Sequence, residues 1–157
     1  MEILLADIND ISEILDLQKI SYKQEAEIYN DYQIPPLTQT VEEIENEFNN
    51  NTVLKAVIDD IIVGSVRAYI KKNKCYIGRL IVHPNHQNKG IGTKLMNKIE
   101  KYLEDKGIVK YELFTGEKSQ KNIYLYQKLG YKIFKSEKLS DIVIIVYFEK
   151  EIARHGI

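Results

Sequence analysis

The chain has little cysteine, no tryptophan and no long apolar run. Its single cysteine, Cys75, excludes an internal disulfide and a cysteine-based metal cluster, so no metal is expected. No run approaches the roughly 20 apolar residues that cross a bilayer, so no membrane role is expected. Charge of one sign is missing too: 22 Lys and Arg face 23 Asp and Glu, a formal net charge of -1. That leaves no basic field to gather nucleic acid. Lys71, Lys72 and Lys74 cluster, but they read as a solvated hairpin tip. The first residues, Met1-Glu2-Ile3-Leu4-Leu5-Ala6-Asp7, lack the basic region of a signal peptide, which points to a cytoplasmic protein. Repeats, low-complexity tracts and Gly/Ser linkers are absent as well. The 157 residues are therefore expected to fold as one domain, 1–157, with a full core. Tyrosine is what the chain has in plenty: eleven, each bringing a hydroxyl wherever it packs.

Apolar spacing sets out the elements. Residues 2–6 read as a strand. Asp7 or Asp10 can cap a helix carrying Ile11, Ile14 and Leu15. Residues 21–37 are expected to be irregular, ending at Ile34-Pro35-Pro36-Leu37, where helix is blocked. Thr40 and Glu43 form a capping box for a short helix with Val41, Ile44 and Phe48 on one face. Three strand-like runs follow, 53–58, 61–70 and 75–82, and their short turns imply an antiparallel meander. A helix over 91–106 is closed by Gly107. Then come a strand over 108–114, a helix over 119–129 followed by Gly130, and strands over 131–134 and 142–148. The crossover helix between 82 and 108 makes its flanking strands parallel neighbours. The expected class is α/β (α+β): a mixed sheet of about seven strands flanked by about four helices. The last run, Ile142-Val143-Ile144-Ile145-Val146, is apolar on both faces. Helices or a second copy of the chain must cover it, so a homodimer is one expectation.

The richest segment is Gln87-Asn88-Lys89-Gly90-Ile91-Gly92. It follows the apolar run Leu80-Ile81-Val82 and opens the helix with Ile91, Leu95, Ile99 and Leu103 on one face. A strand, a tight glycine loop and a helix start aim backbone N–H groups and the positive helix end at one point. An anion suits that point, and a pyrophosphate is the obvious candidate. Neither the dinucleotide fingerprint nor the Gly-Lys-Ser/Thr phosphate loop is present, so the loop alone leaves the guest open.

In these residues the chain resembles the GNAT superfamily of acetyl-CoA-dependent N-acyltransferases. That family carries Gln/Arg-x-x-Gly-x-Gly/Ala at the start of its central helix, just after a strand ending in Val-x-Pro. The match here is Val82-His83-Pro84 followed by Gln87 to Gly92. A second family signature, Leu-Tyr-x-x-Leu-Gly-Phe/Tyr, is matched by Leu125-Tyr126-Gln127-Lys128-Leu129-Gly130-Tyr131. The resemblance covers about residues 2–149. It implies a sheet that is antiparallel except at a central splayed strand pair, and acetyl-CoA as co-substrate.

The resemblance also implies roles. Gln87, Asn88, Lys89, Gly90, Ile91, Gly92 and Thr93 would hold the CoA pyrophosphate. Leu80, Ile81 and Val82 would pair with the pantetheine arm, and a backbone N–H near Val82 would polarise the thioester carbonyl. Many members place an asparagine seven residues before the motif tyrosine; Ser119 stands there in this chain, and Asn122, one turn later, can take the role. Tyr126 would be the general acid, since a phenol is protonated at neutral pH and can donate to a departing thiolate. Segment 21–37 would form one wall of the acceptor site, where Tyr22, Glu25 and Tyr29 suit a cationic amine. The expected reaction is direct acetyl transfer to a primary amine, small or on a protein, in a ternary complex. The alternative is a catalytically silent CoA-binding sensor or partner protein. The general base is not assigned.

Overall fold

Seven strands build one mixed sheet in the order β1-β2-β3-β4-β5-β7-β6. The computed structural model describes residues 1–152; residues 153–157 of the expected single domain lie outside them. The strands are β1 (Glu2–Leu5), β2 (Thr52–Ile58), β3 (Ile61–Lys71), β4 (Lys74–Val82), β5 (Lys110–Gly116), β6 (Lys132–Lys138) and β7 (Ile144–Glu151). The helices are α1 (Ile11–Tyr29), α2 (Pro35–Thr38), α3 (Val41–Asn50), α4 (Ile91–Glu104) and α5 (Gln120–Lys128). The meander β2-β3-β4 closes through two-residue turns. Asp59 and Asp60, then Lys72 and Asn73, all take positive φ, which matches the twist of the flanking strands. The crossover through α4 makes β4 and β5 parallel, as the chain order requires.

The two faces of the sheet carry separate cores. On one face Val66, Cys75, Ile77, Tyr111, Leu113 and Phe148 pack against Leu95, Met96, Ile99 and Leu103 of α4 and Tyr126 of α5. On the other, Val53, Ile62 and Ile81 pack against Ile11, Ile14, Leu15 and Leu17 of α1 and Ile44 of α3. The strand expected at 142–148 begins two residues later and lies inside the sheet, between β5 and β7's other neighbour, β6. Its Val146 and Phe148 are buried, whereas Ile142 lies before it and is exposed.

One segment differs from expectation. Residues 21–37 are not irregular: α1 continues through Tyr29. The stripe Ile11, Leu15, Gln18, Tyr22, Ala26, Tyr29 keeps helical spacing, and the polar residues between are strong helix formers. The helix ends at Asn30, which takes the left-handed conformation, with Asp31 N–H bonded to Ala26 O at 3.0 Å. Nor do the two prolines block helix. They occupy the first two positions of the single turn α2, where their missing N–H groups cost nothing.

A buried polar network ties α1, α2 and α3 to the sheet. Gln18 Nε2 donates to Pro36 O (3.0 Å) and Gln39 Oε1 (2.8 Å), and Gln39 Nε2 donates to Glu47 Oε1 (2.6 Å). Arg67 of β3 donates to Gln18 and Glu47 and is 3% exposed. Burial lowers its pKa, and Glu47 opposes that shift.

Cys75 gives a check on the core. It is wholly buried on β4, and burial, with Glu100 adding, pushes its thiol up to about 12. In the unfolded chain a thiol ionises near about 8.5. Between those values the folded state keeps a proton that the unfolded state has lost. The contribution to stability is complete below about pH 8.5 and falls as pH rises toward 12. A thiol reagent at pH 8 should label Cys75 only at the rate of global opening, and urea midpoints should decline above pH 9.

Candidate active site

The site is built where β4 and β5 part. They pair over three residues only, Lys74, Cys75 and Tyr76 with Lys110, Tyr111 and Glu112. Beyond that β4 stays on β3. His83 N–H bonds to Val63 O at 2.8 Å, so strand alternation turns the N–H and C=O of Val82 the other way, toward the gap. The carbonyl is used: it accepts from Ser21 Oγ (3.4 Å) and Gln87 Nε2 (3.2 Å). The Val82 N–H has no partner among the described residues. Leu80 and Val82 are half-buried toward the α4 side, while Ile81 is buried on the α1 side.

The glycine loop enters α4 beside this gap. Gly90 is the N-cap with φ +81, and Asn88 also has positive φ. No side chain caps the helix, and its first backbone bond runs from Lys94 N–H to Gly90 O at 3.1 Å. The N–H groups of Ile91, Gly92 and Thr93 therefore point outward unsatisfied. A Cβ on Gly92 would meet Leu125 at 3.6 Å and Leu80 and Val82 at 3.9 Å. Thus α5, the end of β4 and the start of α4 converge on this glycine. Lys89 and Asn88 are exposed, and Gln87 is turned back onto Val82 and Gln24.

From the other side, α1 delivers Tyr22, Glu25 and Tyr29 on one face. Tyr29 lies over Gly116, the last residue of β5; a Cβ there would sit 1.9 Å from the Tyr29 hydroxyl. Lys118 N–H donates to that hydroxyl (3.0 Å), which lies 2.9 Å from Ser119 Oγ. Ser119 in turn donates to Glu25 (2.5 Å), which leaves Ser119 Oγ to accept from Tyr29. Ser119 is at the N-cap of α5 but 2% exposed, and its hydroxyl faces α1 instead of capping its helix. Asn122, half-buried, donates to Thr115 Oγ1 at 3.2 Å.

Tyr126 completes the cluster. It is 7% exposed and packs edge-on to Phe148 and Tyr131. Its hydroxyl makes no hydrogen bond among the described residues. Burial raises its pKa above the usual tyrosine range, and nearby Tyr22 and Glu25 add to the rise. The phenol is held protonated next to the gap.

The family model described as acetyltransferase (GNAT) family matches residues 11–131. The chain belongs to the GNAT acetyltransferase family. It is an acyltransferase of the N-acetyltransferase class. It is 26% identical over 143 residues to a spermidine N(1)-acetyltransferase of Thermoplasma acidophilum, covering 85% of this chain and 89% of that one. Its fold is similar to the crystal structure of PaiA N-acetyltransferase from the same organism in complex with coenzyme A. The TM-score is 0.80 at 23% identity, over 97% of this chain and 100% of that one. An aminoglycoside 6′-N-acetyltransferase complexed with coenzyme A superposes with TM-score 0.78 at 22% identity, over 99% and 100% of the two chains. At these identities the two structures bear on the fold alone.

The GNAT motifs now have local reasons. Tyr131, which ends the second motif, donates to Glu100 Oε2 of α4 at 2.9 Å, and Lys150 of β7 binds the other oxygen at 2.7 Å. Its place at the end of the motif is structural here. Sequence reasoning passed over Arg79, Arg67, Gln18 and Gln39, because single polar residues inside apolar runs carry no periodic signal. A shallow groove of about 440 Å³ lies elsewhere, on the flank of α4 lined by Met1, Ile3, Lys94, Asn97, Lys98 and Lys101. It shares no residue with the gap. Gly116→Ala should displace Tyr29 and destabilise this GNAT domain by about 1–3 kcal/mol. In urea unfolding, the added cost should largely vanish in a Tyr29→Ala background, since both changes remove one packing contact.

Proposed function

We propose that this protein transfers an acetyl group from acetyl-CoA directly to a primary amine. The observation that carries this reading is the unpaired Val82 N–H in the β4/β5 gap, between an uncapped helix start and a protonated buried phenol. The free N–H groups of Ile91, Gly92 and Thr93, with those of Asn88, Lys89 and Gly90, hold the pyrophosphate. The pantetheine arm lies along Leu80–Val82 as an added strand. The Val82 N–H polarises the thioester carbonyl; one such donor in a water-poor site contributes about 3–4 kcal/mol in the transition state. Asn122 is the better placed of the two α5 candidates for the CoA arm, because the Ser119 hydroxyl is already engaged by Tyr29 and Glu25.

The amine loses a proton to Glu25, directly or through water, and its nitrogen attacks the carbonyl carbon. The C–S bond breaks, the thiolate takes the Tyr126 proton, and the proton shed by the acylated nitrogen returns to the tyrosinate through water. An acyl-cysteine route is unsupported: Cys75 is buried at the closed end of the strand pair, with its thiol pushed up to about 12. A second reading, CoA binding without turnover, draws on the tie between Glu25 and Ser119, which occupies the nearest carboxylate.

Tyr126→Phe should lower kcat by about 100-fold or more, with acetyl-CoA affinity by calorimetry unchanged. Because burial raises the phenol's pKa, wild-type kcat should rise with amine deprotonation and show no loss of the acid below pH 10. Wild-type turnover in the phenylalanine variant would remove Tyr126 as the acid. Binding of acetyl-CoA with no thiol release across a broad amine panel would favour the silent reading.

A further inference from the structure

Ser119 stands at the N-cap of α5 yet makes no capping bond, a contact that ordinarily stabilises a helix start. Its hydroxyl is buried and engaged on the side of α1 instead. Three hydrogen bonds run through it in one direction. Lys118 N–H donates to the Tyr29 hydroxyl (3.0 Å), Tyr29 donates to Ser119 Oγ (2.9 Å), and Ser119 donates to Glu25 Oε2 (2.5 Å). A backbone N–H only donates and a carboxylate only accepts, so both hydroxyl protons are aimed toward Glu25. Burial raises the Tyr29 pKa, which keeps its hydroxyl a donor. A chain polarised in one direction strengthens its last bond. Glu25 Oε2 is therefore held. Glu25 Oε1 has no hydrogen-bond partner among the described residues, and Glu25 forms no ion pair among them.

Contacts on either side place this carboxylate at the mouth of the gap. One turn before Glu25 on the same face of α1, Ser21 donates to Val82 O at the end of β4 (3.4 Å). One turn after it, Tyr29 lies over Gly116 at the end of β5. Glu25 thus sits on the stretch of α1 that reaches both parted strands. Two turns along α5 from Ser119, on the same helix face, comes Tyr126.

We propose that Ser119, itself held by Tyr29, is a positioning residue that orients Glu25 as the base for the acceptor amine. It anchors one carboxylate oxygen and leaves the other for the amine proton. This rests on the acetyl-transfer reading above, in which Glu25 takes that proton.

The test follows thiol release at saturating acetyl-CoA over a broad panel of primary amines, from putrescine and lysine to peptide N-termini, and uses the fastest acceptor. Ser119→Ala should lower kcat by about 10- to 100-fold, with the amine KM and the acetyl-CoA affinity by calorimetry unchanged. Tyr29→Phe should cost less, since Ser119 still donates to Glu25. Glu25→Gln separates chemistry from architecture. Its amide oxygen still accepts from Ser119, so its urea midpoint should stay near wild type while kcat falls by about 100-fold or more. Adding Ser119→Ala to Glu25→Gln should change kcat by less than about threefold, because both act through one carboxylate. Wild-type kcat in Ser119→Ala beside a slow Glu25→Gln would overturn the role of Ser119 and leave Glu25 as the base. So would multiplied losses in the double variant, or weakened acetyl-CoA binding in Ser119→Ala, which would make Ser119 a cofactor contact. Wild-type kcat in Glu25→Gln would remove the base and this inference together, with acetyl transfer intact. Acetyl-CoA binding without thiol release across the whole panel would overturn the acetyl-transfer reading as well.

Discussion

The limited pairing of β4 with β5 is the constraint on which the rest depends. Two strands that share only three residue pairs must diverge, and the divergence leaves backbone groups of β4 without a ladder partner. Buried backbone groups must find partners somewhere. The Val82 carbonyl finds Ser21 and Gln87, while its N–H has no partner among the described residues. The α4 crossover both causes the parallel geometry and delivers its own free N–H groups to the mouth of the same gap. The uncapped helix start and the unpaired Val82 N–H are thus consequences of one topological feature.

What fills the gap is equally determined by packing. Tyr29 can lie over the end of β5 only because residue 116 lacks a Cβ. Its hydroxyl then joins Lys118, Ser119 and Glu25 in a chain of hydrogen bonds that fixes α1 against the start of α5. Nearer its start, α1 is fixed through Gln18 by the buried Arg67 network. Held at both points, α1 keeps Glu25 on Ser119 at the start of α5.

Much of the architecture was legible along the chain. The two-residue turns, the capping box at Thr40, the glycine-opened helix and the closing glycines each gave a local signal tied to backbone dihedrals or to period. The glycine loop that opens α4 and the place of Tyr126 on α5 were legible through motif spacing. The tyrosine-rich stretch after Ser21 was not, because its aromatic stripe is diluted by Lys23, Gln24 and Glu27 and looks polar when read by composition. Prolines 35 and 36 misled in the same way: they forbid helix before them and start it where they stand.

The sequence by itself determined the α/β order, the parallel crossover and the glycine loop that opens α4, because these follow from local periodicity and backbone chemistry. Only the tertiary structure decided that α1 reaches the gap, that Ser119 serves α1, and that Tyr29 lies over Gly116. Those facts arise from contacts between residues some 50 to 100 positions apart in the chain, and their physical cause is the shared space left when β4 and β5 separate.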